Sequence, residues 1–120
     1  MQHQDNPQLQ LTARLRAFGA RLAQSASCQV YHYRRPDKRE PPYIVWAEIG
    51  EENAEPADNI KCEQSISGQV LYYTRMEYDL QTDVIQDVLQ TVCGARWTLD
   101  DVSFDAETST ICYSWGFSVG

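Results

Sequence analysis

The sequence predicts a single α+β domain with a mostly antiparallel sheet of four to five strands and two helices packed on one face. Two segments have apolar residues at helical spacing, and others have the alternation or the apolar run of a strand. The links between neighbouring strands are short, which favours antiparallel pairing. The length of 120 residues allows one core and leaves no room for two ordinary domains.

The first helix is predicted to follow a polar start. Residues 1–8 include Pro7 and have no apolar period, so they are expected to form a flexible N-terminal tail, with the domain covering residues 9–120. From Leu9 the apolar residues recur at intervals of four, three and four: Leu11, Leu15, Phe18 and Leu22. This spacing places one apolar stripe on a helix that should end near residues 25–27.

The second helix has the stronger pattern. Asp79 is a suitable N-cap residue, and Gly94 stands where a C-terminal cap belongs. Between these two residues one half of the helical wheel is apolar, with Leu80, Val84, Ile85, Val88, Leu89 and Val92. The sequence therefore predicts a helix that packs one face against the sheet.

Strands complete the predicted order α-β-β-β-α-β-β, over residues 28–35, 43–49, 60–75, 97–104 and 111–119. The run 43–49 is apolar on both parities, as expected of a central strand. The run 60–75 alternates for about three times the usual strand length, so we expect a bulge near Gly68 or a projection beyond the domain. The last two strands form a hairpin, in which Asp100-Asp101 is interpreted as a bulge or turn.

Composition and charge exclude several classes of protein. With 42% hydrophobic residues the chain is too apolar for general disorder. Its apolar runs are too short for the roughly 20 residues of a membrane helix, and its first ten residues lack the pattern of a signal peptide. Seventeen acidic and ten basic residues give a net charge of −7, which argues against specific nucleic-acid binding.

The charge is unevenly placed along the chain. The basic turn precedes Pro41 and contains Arg34, Arg35, Lys38 and Arg39. The acidic loop follows Gly50 and contains Glu51, Glu52, Glu55 and Asp58. Each is interpreted either as a solvated loop or as half of a contact between subunits, because the two have opposite sign.

Catalytic and cofactor signatures are missing from the sequence. No Gly-rich phosphate loop or nucleophile elbow occurs, and two histidines are too few and too scattered for a zinc site of usual spacing. Cys28, Cys62, Cys93 and Cys112 form no CxxC pair and are interpreted as reduced thiols that act as small hydrophobes. The prediction is a protein that is not an enzyme and has no cofactor or metal.

Aromatic residues exceed what two short helices need to cover. Most should belong to the core, and some should line a subunit interface, where Tyr and Trp are enriched. Trp46 is the preferred interface candidate, since Val45 and Ile49 point to the other side of its strand.

Three stretches, taken in order, resemble the tail-completion or tail-terminator proteins of long-tailed bacteriophages and their prophages, with the lambda minor tail protein U as a distant relative. The stretches are Pro42 to Trp46 between the basic turn and the acidic loop, Asp58-Asn59 with the strand ending Leu71 to Arg75, and Glu77-Tyr78-Asp79 opening a helix. The similarity lies in their succession and spacing and extends from about Leu9 to Val119.

The resemblance implies a structural protein of the virion, located in the tail or neck and in the host cytoplasm during assembly. Such a subunit forms a ring, usually a homohexamer, that caps the tail tube and joins it to the head. Its implied partners are further copies of itself, the tail-tube protein and a head-closure or neck protein, while DNA passes through the ring without specific binding and no membrane is involved. The family has no catalytic residues to transfer to this chain.

Two alternatives remain open on the sequence. The chain could be another head–tail connector, such as a head-closure or neck protein. It could also be a small cytosolic α+β domain that binds a ligand on the aromatic face of its sheet, which predicts a pocket with converging polar groups.

Overall fold

The computed structural model describes residues 7–35, 37–51, 65–94 and 96–120, and it confirms the α+β class and the predicted element order. The elements are α1 (Pro7–Ser25), β1 (Gln29–His32), β2 (Tyr43–Glu51), β3 (Ile66–Thr74), α2 (Gln81–Cys93), β4 (Trp97–Asp105) and β5 (Thr110–Val119). Neither described helix combines the length and apolar character needed to cross a membrane.

The five strands form one sheet in the order β1-β2-β3-β5-β4. Pairing is antiparallel throughout except between β1 and β2, which run parallel, with Gln29 beside Tyr43 and His32 beside Trp46. The prediction of a mostly antiparallel sheet is confirmed, but the assumption that every short link reverses the chain was wrong for this pair. Because β1 rises only about 10 Å from end to end, the link 33–42 is long enough to travel back beside it.

The core lies between one face of the sheet and both helices. The sheet contributes alternate residues of its central strands, including Ile44, Val70 and Trp115, all at most 1% exposed. From the helices come Phe18 and Leu22 of α1 and Ile85, Val88 and Leu89 of α2. This face is called the helix face below, and the opposite face of the sheet is called the open face.

Several predicted boundaries differ from those of the structure. The first helix begins at Pro7, so residues 7–8 are helical and not part of a tail, since proline is favoured in the first turn of a helix. The first strand ends at His32 and not at Arg35, because Tyr33 has a positive φ of 72° that breaks the extended chain. Of the long predicted strand, residues 66–74 form β3, while residues 60–64 lie outside the described part.

Two β-bulges interrupt the sheet, in β2 and in β4. In β2 the register shifts between Glu48 and Gly50, directly opposite Gly68 and Ser67, so the predicted bulge near Gly68 lies on the neighbouring strand. In β4 the shift falls between Leu99 and Asp101, which confirms the interpretation of Asp100-Asp101 as a bulge. Both insert one residue and change which side chains share a face.

The start of α2 is held by Asp79, although the helix itself begins two residues later. One carboxylate oxygen of Asp79 accepts the Gln81 N–H at 2.9 Å, and the other accepts the hydroxyls of Tyr72 and Thr74, each at 2.6 Å. Leu80 occupies the N-cap position and makes no side-chain cap. Gly94 ends the helix with φ 65°, as predicted.

Candidate functional site

The basic turn lies in the link between β1 and β2 and is exposed. Arg35 is anchored: its guanidinium donates to the Tyr73 hydroxyl at 2.6 Å and lies 4.8 Å from the centre of that ring. Arg34, Lys38 and Arg39 are exposed, and no ion pair within the described residues uses them. All four basic residues of the turn are therefore exposed, and three of them, Arg35, Lys38 and Arg39, line one groove.

A groove of about 730 Å³ runs from the basic turn to the tip of the β4–β5 hairpin. Its wall includes Tyr43 and Tyr73, which belong to the open face and stack with their ring centres 4.8 Å apart. Arg75 ties the two sides of the groove together by donating to Glu40 at 2.7 Å and to the Thr108 carbonyl at 3.0 Å. The sequence analysis found an excess of aromatic residues but did not predict that these two tyrosines lie beside the basic turn, because that arrangement depends on the parallel pairing of β1 with β2.

Two of the titratable groups that line this groove, Tyr73 and Cys112, have pKa values shifted toward their neutral forms. Burial raises the pKa of Tyr73, and the neighbouring Cys112 adds to the effect. Burial likewise raises the pKa of the Cys112 thiol. A thiol with a raised pKa is a weak nucleophile at neutral pH, so the groove offers basic and hydroxyl groups for binding and no activated nucleophile.

The acidic loop falls mostly outside the described residues. Glu52, Glu55 and Asp58 lie there, whereas Glu51 is the last residue of β2 and is exposed. Because Tyr43 starts β2 beside the basic turn, Glu51 lies about 26 Å away along the strand. The structure thus separates Glu51 from the basic turn within one chain.

Trp46 is a core residue, so its choice as the leading interface candidate was wrong. It is 5% exposed, meets Phe18 edge-on with ring centres 5.1 Å apart and stacks on His32 at 3.9 Å. A Cβ placed on Gly19 would lie 2.7 Å from the indole, so α1 rests directly on the ring. The prediction was wrong because Trp46 lies on the helix face. Residues on both faces of β2 are buried, so the apolar pattern does not show which face the helices cover.

An exposed apolar surface, which the sequence analysis missed, lies where the hairpin extends past the helices. The hairpin patch comprises Tyr78, Val102, Phe104, Ile111 and Tyr113, and it borders a shallow groove of about 520 Å³ that Glu77 also lines. Tyr78 is 92% exposed and Phe104 is 63% exposed. With the bulge at Asp100-Asp101 taken into account, the sequence of β4 indicates this surface. The bulge places Leu99, Val102 and Phe104 on one face although they are spaced three and then two residues apart.

Two Trp indoles fasten the sheet to α2. Trp115 Nε1 donates to Gln86 at 3.1 Å, and Trp97 Nε1 donates to Gln90 at 3.0 Å. The bond from Trp115 satisfies the indole N–H of a fully buried ring, and the bond from Trp97 does the same for a half-buried ring at the edge of the core. They give the polar face of α2 a structural role.

The described residues contain no group of three His, Cys, Asp or Glu able to hold a metal ion. Cys28, Cys93 and Cys112 are free thiols, and Cys62 lies outside the described part. Burial raises the pKa of both Cys28 and Cys93 to about 11. These two thiols therefore stay protonated near neutral pH.

In comparisons with known proteins, no family model matches the chain and no curated protein is significantly similar to it.

Proposed function

We propose that the chain is a structural subunit of a ring that terminates the tail tube of a long-tailed bacteriophage or prophage and joins it to the head–neck region. This role is located in the virion, requires no chemical step and no cofactor, and takes the tail-tube protein, a neck protein and further copies of the chain as partners. DNA would pass through the ring and be repelled by the net charge of −7 on each subunit.

The observation that carries the proposal is the exposed basic turn. Arg34, Lys38 and Arg39 are exposed basic residues of one turn, and they make no ion pair with a described carboxylate. Such a cluster repels its own copy, so it favours a contact with a different, acidic surface. Contacts between unlike surfaces generate a ring when the rotation between neighbouring copies closes, and a ring is what the resemblance to tail terminators implies.

The proposal is tested by mixing the purified chain with the tail-tube protein encoded by the same phage or prophage. Rings seen by electron microscopy at tube ends, together with tubes of limited length, are the expected result. A chain that stays monomeric and leaves tube length unchanged would contradict the proposal. Rings that bind only the head-side proteins would instead identify the neck or head-closure alternative.

The basic turn is tested with a graded pair of variants. Arg34→Glu with Lys38→Glu should weaken ring formation more than Arg34→Gln with Lys38→Gln, because reversal adds repulsion to the loss of attraction. Arg35 is left unchanged since it holds Tyr73. Equal assembly of both variants and the wild type would remove the basic turn from the interface.

A second candidate function is supported by the groove itself. Its volume of about 730 Å³ lies in the range of small-molecule sites, and Arg35, Lys38 and Arg39 line it beside two tyrosines. These groups suit an aromatic anion. A thermal-shift screen with nucleotides and aromatic carboxylates tests this function, and an unchanged melting temperature throughout the screen would contradict it.

A further inference from the structure

We infer that the outer edge of β4 binds an extended segment of another protein, in which basic residues alternate with apolar ones. The segment adds a strand to the sheet beside β4 and continues its hydrogen-bond ladder. This docking site is independent of the ring function proposed above. Three features of one strand select the partner: a free edge, an apolar side and an acidic side.

The edge of β4 is free along its length. It is the last strand of the sheet, and no second strand among the described residues pairs with its outer side. Its residues from Thr98 to Asp105 are all exposed. In an antiparallel pair, backbone groups of alternate residues face the neighbouring strand, so the remaining N–H and C=O groups of β4 point outward. Such an edge is a template for a further strand.

Apolar side chains occupy one side of this strand. Leu99 pairs with Trp115 of the core, so it lies on the helix face. After the bulge, Val102 and Phe104 lie on the same face, as part of the hairpin patch. They are 49% and 63% exposed, so the described helices do not cover this part of the face. An added strand covers these two side chains if it presents apolar residues on the same face.

Acidic side chains occupy the opposite side, on the open face. Asp101, Ser103 and Asp105 alternate with the two apolar residues and therefore point to that face. The bulge residue Asp100 lies there too, because its Oδ2 is 2.7 Å from the position that a Cβ on Gly116 would occupy. Asp105 also lines the groove beside the basic turn, but no ion pair among the described residues uses any of these carboxylates. Asp101 in particular is available to a basic partner.

The alternation along β4 determines the sequence that fits beside it. Residues directly opposite on neighbouring strands have Cβ atoms about 4.5–5.5 Å apart and lie on the same face. A Lys or Arg opposite Asp101 therefore meets a carboxylate, while apolar residues opposite Val102 and Phe104 extend the hairpin patch. The regular stretch from Asp101 to Asp105 spans about 17 Å, which corresponds to a segment of about five residues.

A second copy of the chain does not offer this sequence at its own sheet edges. Antiparallel pairing of two β4 strands would place their acidic sides on one face of the joined sheet, where like charges repel. The other edge strand, β1, has the sequence QVYH and contains no Lys or Arg. The net charge of −7 favours a basic partner. The segment therefore belongs to a different protein.

The probe is a capped synthetic peptide of nine residues, the length of β4, in which Lys and Val alternate. It is titrated into the isotope-labelled chain, and NMR follows both the binding and the hydrogen exchange of backbone amides. Binding should be saturable, should weaken as salt rises, and should slow exchange at alternate residues of β4. Exchange in β1, at the other edge of the sheet, should stay unchanged.

Two control peptides separate strand addition from attraction by charge alone. One has the same composition, with its Lys and Val residues in separate blocks. The other keeps every Lys but replaces each Val by Pro, which has no N–H group and cannot extend the ladder. Each should bind at least about tenfold more weakly than the alternating peptide. Equal binding of either control would overturn the inference.

Matched variants of the chain locate the site. Asp101→Lys should weaken binding of the alternating Lys-Val peptide about tenfold, because it places like charges opposite each other. Asp87→Lys makes the same change of charge at an exposed position of α2 and should alter the affinity no more than about twofold. Phe104→Ser should also weaken binding while the circular dichroism stays that of the wild type, because it removes an exposed apolar side chain of the site. Equal affinity of Asp101→Lys and Asp87→Lys would overturn the placement on β4.

Two further results would contradict this docking site. One is the absence of any slowed exchange in β4 at millimolar peptide. The other is a dimer in sedimentation whose β4 amides are already protected without peptide, which would identify a second copy as the occupant. Ring assembly at tube ends is measured separately and without peptide, so a failure of the docking site is distinguishable from a failure of the proposed function.

Discussion

Removing the Asp79 carboxylate should reduce the free energy of unfolding more than removing any other exposed or half-buried polar group. This carboxylate joins the end of β3 to the start of α2. It accepts three hydrogen bonds, at 2.6, 2.6 and 2.9 Å, from Tyr72, Thr74 and the Gln81 N–H. Hydrogen bonds to a charged group contribute about 1.5–3 kcal/mol each, and bonds that share one acceptor are not additive. Removing the acceptor also leaves the Tyr72 hydroxyl, on a side chain 1% exposed, without this partner.

We therefore expect Asp79→Ala to reduce the free energy of unfolding by about 3 kcal/mol, which for a domain of this size lowers the melting temperature by roughly 10 °C. Asp79→Asn should cost less, since the amide oxygen still accepts but the amide nitrogen does not. Asp83→Ala is the matched control, because Asp83 stands in the first turn of the same helix and is exposed. Its loss should cost no more than about 1 kcal/mol through the helix dipole.

Urea unfolding at two pH values tests the reasoning further. Although burial acts in the opposite direction, the hydrogen bonds from Thr74, Tyr72 and the Gln81 N–H hold the pKa of Asp79 below its ordinary value of 3.8. The stabilisation is therefore complete above the ordinary pKa and is lost as the pH falls through the lower folded value. The difference between wild type and Asp79→Asn should be largest near pH 7 and shrink in strong acid. A cost for Asp79→Ala no larger than that of Asp83→Ala would refute the account.

Three further perturbations follow from the packing. Gly68→Ala should destabilise the fold by about 2 kcal/mol in chemical denaturation. The new Cβ would lie 2.8 Å from the Ala47 carbonyl oxygen and would meet the Phe117 ring. A neutral result would mean that β2 and β3 separate easily. Trp46→Ala should cost about 4 kcal/mol and lower the melting temperature, because it removes a buried indole beneath α1; an unchanged melting temperature would contradict its place in the core. Glu48→Gln should reduce stability at neutral pH and have little effect once the pH has fallen below the lowered folded pKa of Glu48. Although burial acts in the opposite direction, hydrogen bonds from His32 and Tyr33 hold that pKa below the ordinary value of 4.5. A loss that is independent of pH, measured by urea unfolding, would contradict this.

Sequence patterns were sufficient for the elements whose burial is one-sided. The core face of α1 was identified from the apolar stripe through Phe18 and Leu22, and that of the sheet from the alternation along β3. A helix or strand that is buried on one side has its apolar residues spaced on that side. The apolar pattern of β2 does not show which face the helices cover, because all residues from Tyr43 to Trp46 are buried. Trp46 was therefore predicted to line a subunit interface although it belongs to the core.

The candidate site depended on information that spacing does not contain. The groove beside Arg35 and Tyr73 exists because β1 pairs parallel to β2, and the sequence of the link 33–42 does not specify whether the chain reverses or returns. The hairpin patch depends on how far β4 and β5 extend past α2, which is a property of tertiary packing. Local patterns predicted both hairpin strands but not the uncovered area that they create.

The distribution of charge over the fold affects how copies of the chain can associate. A uniform charge of −7 would oppose any contact between copies, and the strength of this repulsion would grow with every subunit added. The charge is not uniform, because α1 contains three basic residues and no acidic one, whereas the β4–β5 hairpin contains four acidic residues and no basic one. Association in which unlike parts meet gains attraction at each contact, whereas a symmetric dimer through either part gains only repulsion. In the proposed ring, salt should weaken both the contacts between unlike parts of neighbouring copies and the repulsion of DNA by the net charge.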